Sequence, residues 1–388
     1  MYKRINKPIK SNSFFLFGAR GTGKSSFLNF EFKNSSTLWI DLLNPETESQ
    51  YISHPNRLSE QITERAGDLD WVVIDEVQRA PKLLDVVHWE IENRKIKFAL
   101  TGSSARKLKR GGANLLAGRA FLNHLYPLTH IELEGDFKLL HVLAWGSLPK
   151  IFQLSSNLER SEFLKAYVNV YLKEEVFQEQ LVRNTDAFRK FLPIAAQMNG
   201  KILNFNSISK DLNIDWTTVK TYFEILEDTW LGFFLPAYDR SLRKQQLKAS
   251  KFYFFDIGVQ RALEQMLSVA PTAGQMIGPL FEHFIILEIY RLNDYLRKDY
   301  RLSYLATQGG LEVDIIIDRP GKKSVLIEIK SATNVREDHI RNLQSFAKEY
   351  SDFDAICLCQ ETTARQVDNV IIYPWREGLE TLFSSMAD

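Results

Sequence analysis

The chain has 388 residues, 45% apolar and 25% charged, a composition that excludes disordered and fibrous classes and is long enough for two or three domains. Its 49 Lys and Arg balance 48 Asp and Glu, so no overall basic charge marks it for nucleic acid, and only a local patch could do so. No apolar run reaches the roughly 18 residues of a membrane helix, and the opening MYKRINKPIKSNS lacks the apolar core of a signal peptide.

The first strong feature is the apolar run Ser13–Phe17, followed by GARGTGKSS and a helical stretch. Buried strand, glycine loop and helix start are the context in which G-x-x-x-x-G-K-[ST] holds a phosphate chain. Gly18, Gly21 and Gly23 let backbone N–H groups turn inward around an anion, and the helix start adds its positive dipole end. Thr22 and Ser26 complete the loop. Lys24 is expected to reach the β- and γ-phosphates and Ser25 to ligate Mg²⁺.

Thr37–Leu43 reads as the next strand. Trp71–Glu76, WVVIDE, then places two acids at the carboxyl end of an apolar strand, where open α/β sheets bind ligands. Asp75 is expected to hold Mg²⁺ through water and Glu76 to polarise the attacking water. Lys97–Leu100, ending in TGSS, and Phe121–Leu125 bring the strands to five. Their alternation with helical stretches predicts a parallel sheet covered on both faces. Ser103 or Ser104 is placed to sense a γ-phosphate, and a plain helix N-cap is an equal reading.

The set GARGTGKS, WVVIDE, FALTGSS and LAGRA resembles an AAA-type ATPase core, in which an extra strand separates the phosphate loop from the acidic strand. That resemblance implies ATP and Mg²⁺ as cofactors and ATP hydrolysis as the activity. In such cores an arginine just before the fifth strand often reaches the γ-phosphate of a neighbouring subunit. Arg119 has that place; a surface arginine, or one acting within its own subunit, is the competing view. The basic, glycine-containing stretch ARKLKRGGANLLAGR reads as a loop and a short helix.

Beyond Tyr126–Leu128 the pattern turns helical. AWGSLPKIF (Ala144–Phe152), YVNVYLKEEVF (Tyr167–Phe177) and the segments through KFYFFDIGV resemble a bacterial and archaeal ATPase family. Its members join the ATPase core to a winged-helix-like middle and a nuclease-like end. In the residues themselves, Asn206–Leu212, a turn at Asn213-Ile214-Asp215 and an apolar helical stripe over Trp216–Asp228 precede two strand-like runs, which matches a winged helix-turn-helix. Residues 199–240 hold four basic and six acidic residues. The would-be recognition helix carries Glu224, Glu227 and Asp228. A packing or lid role is therefore favoured over DNA readout. The basic run RSLRKQQLKASK is either a wing touching phosphates or a solvated loop.

GPLFEHFIILEIYRL reads as an amphipathic helix with Glu282 near its start. Next comes LEVDIIIDRPGKKSVLIEIKS, two apolar strands around a Pro-Gly turn. Closed symmetrically about Gly321, this hairpin sets Asp314 opposite Glu328 and Glu312 opposite Lys330, all four on one face. Like charges directly across a ladder are destabilising, and a divalent cation between them would reverse that sign. A shift of two residues would instead pair Asp314 with Lys330.

The arrangement resembles a restriction-endonuclease-like (PD-D/E-x-K) site. By that resemblance Asp314, Glu328 and the helical Glu282 are metal ligands, and Lys330 orients or activates water. DAICLC and VIIYPW would extend the sheet. Cys357 and Cys359 read as reduced residues on one face of a strand, in keeping with a reducing cytoplasm.

The expectation is therefore an α/β chain in three parts: an ATPase domain (1–133), a helical and winged-helix-like domain (134–262) and a restriction-endonuclease-like domain (263–388). The leading function is Mg²⁺-dependent ATP hydrolysis coupled to a nucleic-acid-binding or -cleaving end. A nucleotide switch that recruits a protein partner and a winged-helix DNA-binding regulator are the alternatives. ATP or ADP, DNA or RNA, a protein partner and self-assembly are the partners considered; a membrane is not.

Overall fold

Ser13–Phe17 (β1) is wholly buried and continues through the glycine loop into the helix Lys24–Glu31. Four further strands complete a five-stranded sheet: β2 (Thr37–Asp41), β3 (Trp71–Asp75), β4 (Lys97–Gly102) and β5 (Ala120–His124). Their order is β2-β3-β4-β1-β5 and every pairing is parallel. The computed structural model describes residues 2–65, 67–103, 116, 118–171, 184–239, 241–246, 248–272, 275–307, 311–349 and 352–384.

Apolar clusters cover both faces of this sheet. One is built on Phe15, Ile40, Ile74 and Val87, the other on Phe14, Leu28 and Val73. Double coverage is why the inner strands β1, β3 and β4 read as continuous apolar runs; the edge strands β2 and β5 are only partly buried. β4 lies between β1 and β3, which is the extra strand expected between phosphate loop and acidic strand.

The middle of the chain is mostly helical. Helices Thr185–Gln197, Phe205–Leu212 and Trp216–Asp228 pack around Phe188, Phe191 and Phe223. Asn213 takes a left-handed conformation at the end of the second helix, and Asp215 caps the third by accepting from Thr217 N. β6 (Gly232–Leu235) and β7 (Lys251–Phe254) then form an antiparallel ribbon.

Strand alternation divides this ribbon between two cores. Phe252 and Phe254 enter the helical core, whereas Phe233, Leu235 and Tyr253 face the third part of the molecule. Tyr238 N donates to Tyr304 O (2.6 Å) and Tyr304 N to Pro236 O (3.0 Å), so the chain after β6 runs onto the edge of the next sheet.

That sheet has the order β12-β13-β11-β10-β9-β8. β8 (Arg301–Ala306), β9 (Glu312–Asp318) and β10 (Ser324–Ile329) form an antiparallel meander. Helix Glu337–Glu349 crosses to β11 (Phe353–Cys359), which pairs parallel with β10. β12 (Arg365–Val367) and β13 (Val370–Pro374) close the edge, and helix Trp375–Phe383 ends the described chain.

The 19-residue helix Ile277–Tyr295 corrects one sequence expectation. It is not amphipathic but buried on most sides. It packs on Ile315, Ile327 and Trp375 and on the ribbon's Phe233 and Tyr253. Its inner polar side chains each have a partner, His283 Nε2 at Phe254 O (2.7 Å), Glu288 at His130 Nδ1 (2.5 Å) and Arg291 at Leu128 O and Phe255 O, although His283 Nδ1 and Arg291 Nε are buried without one. A buried helix carries polar residues only where such partners exist, and these partners come from distant segments. Cys357 and Cys359 are buried and free. No helix among the described residues is long and apolar enough to cross a membrane.

Candidate functional site

The loop after β1 is shaped by two glycines with distinct requirements. A Cβ on Gly18 would stand 2.2 Å from Leu125 O, so only glycine fits against the segment leaving β5. Gly23 precedes the helix with φ 93°, a left-handed conformation that favours glycine. No side chain caps that helix, so its first N–H groups have no side-chain competitor for an anion.

Lys24 is buried and its ammonium lies over the loop itself, donating to Gly18 O (2.8 Å) and Ala19 O (3.3 Å). Glu76 Oε1 is 4.0 Å from Lys24 Nζ. Thr22 Oγ1 donates to Ala19 O (2.9 Å) and tightens the turn. Ser25 is half-buried and Ser26 exposed in the helix's first turn.

The acidic end of β3 meets the end of β4. Thr101 donates its hydroxyl to Asp75 Oδ1 and accepts from Glu76 N at 2.9 Å. Glu76 is held in a left-handed conformation, φ 59°. Its carboxylate takes a hydrogen bond from Gln78 Nε2, which also donates to Ser103 Oγ (3.0 Å). Ser103 Oγ lies 3.4 Å from Glu76 Oε2. One network thus joins Asp75, Glu76 and Ser103, through Thr101 and Gln78. Neither connecting residue was singled out from sequence, although Thr101 sits in the quoted TGSS.

Arg119 is placed against Glu92, with its Nε on the carboxylate Oε1. This ion pair holds the Glu92 carboxyl below its usual range. Ser104 and most of ARKLKRGGANLLAGR lie outside the described residues.

The middle segment packs on the phosphate loop. Tyr167 Oη donates to Arg20 O (2.8 Å). Leu148 and Pro149 stand so close that Cβ atoms on Gly21 and Gly23 would be 3.8 and 3.9 Å from them. The motifs AWGSLPKIF and YVNVY therefore contribute to the wall of the loop.

The second group of charged residues is in the six-stranded sheet. Val325 pairs with Ile317 and Ile327 with Ile315, and that register carries Asp314 opposite Glu328. Asp314 Oδ2 accepts from Ile329 N at 2.7 Å, and Lys330 Nζ pairs with Glu328 Oε1 at 2.5 Å. Glu282 comes from the long helix. Burial, and then the nearby Asp314 charge, raise both Glu282 and Glu328 above the carboxylate range; burial also raises Asp314.

Two groups that sequence reading did not assign join this cluster from β7. Lys251 Nζ pairs with Glu312 and lies 3.8 Å from Glu282 Oε1, with its side chain 3% exposed. Tyr253 Oη donates to Glu282 Oε1 at 2.7 Å. Among the described residues no group of three or more His, Cys, Asp or Glu side chains comes together as a metal-holding set. Glu282, Asp314 and Glu328 are neighbours, but in this arrangement the cations among them are Lys251 and Lys330.

Comparison with known proteins gives three adjoining matches. Residues 10–134 match an AAA domain, 136–270 a domain of unknown function (DUF8612) and 277–377 another (DUF4143). Uncharacterized proteins of Mycobacterium tuberculosis and Mycobacterium bovis are each 23% identical over 313 residues, 79% of this chain and 68% of theirs. An uncharacterized protein of Haemophilus influenzae is 22% identical over 207 residues, 49% of this chain and 52% of its own. Among solved structures, the Walker-type ATPase PabY2304 of Pyrococcus abyssi superposes with a TM-score of 0.44 at 14% identity, covering 64% of this chain and 90% of that one. The amino-terminal part is thus an AAA-type P-loop domain, which at a general level supports ATP binding and hydrolysis.

Proposed function

We propose that the protein is a Mg²⁺-dependent ATPase whose nucleotide state is transmitted, through the helical middle, to a nuclease-like carboxyl-terminal part. The observation that carries this reading is the buried Lys24 above a glycine loop, faced by Glu76, next to Asp75 at the end of β3. The residues suit a nucleotide and its metal. Amides of Gly21 to Ser26 and the Lys24 ammonium would hold the phosphates. The Ser25 hydroxyl and Asp75 would hold Mg²⁺, which would neutralise developing charge on them. Glu76 would take the role of orienting water, with Gln78 and Ser103 fixing its carboxylate. Arg119 would act on a neighbouring subunit's nucleotide once assembly drew it away from Glu92.

The helix-turn-helix and ribbon at 205–254 support a winged-helix reading. Its ribbon is divided between two cores, which favours a coupling role over DNA readout. The order helix, three-stranded meander, helix, parallel strand, with acids on the central hairpin, supports a restriction-endonuclease-like reading of 277–359. Glu282, Asp314 and Glu328 would then hold a divalent metal and Lys330 would orient water beside a phosphodiester, so DNA or RNA is the partner class for that end. The competing reading, a switch that recruits a protein partner without cleavage, is favoured by the lysines paired among the acids.

The test is phosphate release from ATP by the full chain in Mg²⁺ buffer, run beside plasmid, single-stranded DNA and RNA. ATP turnover lost in Asp75→Asn supports the ATPase reading, and equal turnover in that variant ends it. Cleavage abolished by Asp314→Ala supports the nuclease reading. Intact ATP turnover with no cleavage on any polymer favours the switch.

A further inference from the structure

β7 reads KFYF, and its alternation sends Phe252 and Phe254 into the helical core while Lys251 and Tyr253 face the opposite way. Both polar side chains reach the same carboxylate. Tyr253 donates to Glu282 Oε1 at 2.7 Å and Lys251 Nζ lies 3.8 Å from that oxygen. Lys251 is also paired with Glu312, and its Nζ is 5.3 Å from the centre of the Tyr304 ring.

A lysine that is 3% exposed keeps its charge only if carboxylates surround it. Here they do. Glu312 pairs with its ammonium, and Glu282 Oε1 lies 3.8 Å away. On the other flank Lys330 pairs with Glu328 Oε1, but Glu328 Oε2 is buried with no hydrogen-bond partner. The acid set therefore has one face closed by a lysine from another segment and one carboxylate oxygen turned inward without a partner. Buried carboxylate oxygens of that kind ordinarily have a donor or a cation.

We propose that Lys251 is a built-in cation that keeps the Glu282–Asp314–Glu328 set closed to divalent metal, and that a metal enters only in exchange for it. The proposal rests on the reading of this set as nuclease-like. A divalent ion entering beside both Lys251 and Lys330 would meet the repulsion of two ammonium groups, and it would have to take up Glu282 Oε1, which now lies 3.8 Å from the Lys251 ammonium. Because Lys251 belongs to the ribbon, any displacement of that ribbon relative to the long helix would uncover the acids.

The experiment is Mn²⁺ binding to the nucleotide-free full chain, read from the loss of the free-ion paramagnetic resonance signal, with melting temperature measured in parallel. Lys251→Met keeps the stem and removes the charge. It is expected to bind one Mn²⁺ about tenfold or more tightly than the parent, to be stabilised by Mn²⁺ where the parent is not, and to lose both effects on adding Asp314→Asn. If Lys251→Met does not fold, Glu312→Gln removes one of the lysine's partners and is expected to strengthen Mn²⁺ binding in the same Asp314-dependent way. Equal, Asp314-dependent binding in the parent and in the variant overturns the role of Lys251 and leaves the acid set a metal site. No Asp314-dependent binding in any of these proteins overturns both.

Discussion

Arg4 donates from Nη2 to the hydroxyl of Tyr295 at 3.0 Å, joining the amino-terminal arm to the end of the long helix 291 residues later. The same guanidinium donates to Thr22 O (2.9 Å) in the glycine loop and to Tyr126 O (2.5 Å) beyond β5, and is paired with buried Glu132 at 2.8 Å. One side chain therefore touches the phosphate loop and the helix whose other end carries Glu282. Arg4 thus bridges the loop backbone at Thr22 and the end of the long helix at Tyr295.

Removing that node should be costly. Arg4→Ala leaves Glu132 buried without its cation, a loss of roughly 3–5 kcal/mol for a broken buried pair. Tyr295→Phe strips an acceptor from both Arg4 and Tyr126 N, for about 1–3 kcal/mol. Urea unfolding midpoints check both, and midpoints equal to the parent's would show that the node contributes nothing.

On the proposed reading, Lys24 serves nucleotide binding and Glu76 the chemistry. Glu76→Gln keeps the shape of the Gln78–Ser103 network but cannot act as a base. It is expected to retain ATP affinity while turnover falls by about 10²–10⁴-fold. Single-turnover hydrolysis beside nucleotide titration checks this, and unchanged turnover would remove Glu76 from the chemistry.

Thr101→Val is isosteric but leaves Glu76 N and Asp75 without the shared hydroxyl. The cost in stability is about 1–3 kcal/mol, and kcat should fall roughly tenfold with KM little changed, because two acids lose their alignment. A variant with normal kcat would reduce Thr101 to a packing residue.

The carboxyl-terminal acids also predict a pH dependence. Burial and Asp314 push Glu328 up to about 8 from an ordinary 4.5. Between those values the folded chain binds more protons at Glu328 than the unfolded chain does, so its share of stability is complete below about 4.5 and is lost as pH rises through about 8. Glu282 is raised by burial to about 7 and acts in the same sense, more weakly because its shift is the smaller of the two. Glu328→Gln should flatten the fall in stability between pH 5 and about 8. A variant whose unfolding free energy keeps the parent's slope would contradict the assignment.

What was legible in the sequence was local. Continuous apolar runs marked the inner strands β1, β3 and β4 because both sheet faces are covered there, and the Pro-Gly turn offered two registers for its flanking strands, of which the symmetric one, with Asp314 opposite Glu328, is found. What was not legible depends on contacts between distant segments. The long helix looked amphipathic because His283, Glu288 and Arg291 are polar, yet each finds a buried partner elsewhere. Lys251 read as the last cation of a basic run, and only the fold turns it inward to Glu282 and Glu312. Arg4 lies in a stretch with no periodicity, and its four partners are scattered over residues 22 to 295.

The central claim is that the amides after β1, with the Lys24 ammonium, grasp a triphosphate. Calorimetric titration of the full chain with ATP in Mg²⁺ buffer tests it most directly. The account predicts one nucleotide per chain, with affinity lowered about 10–100-fold in Lys24→Ala, the worth of a charge-assisted contact. No heat of binding by the parent, or equal affinity in Lys24→Ala, would contradict it.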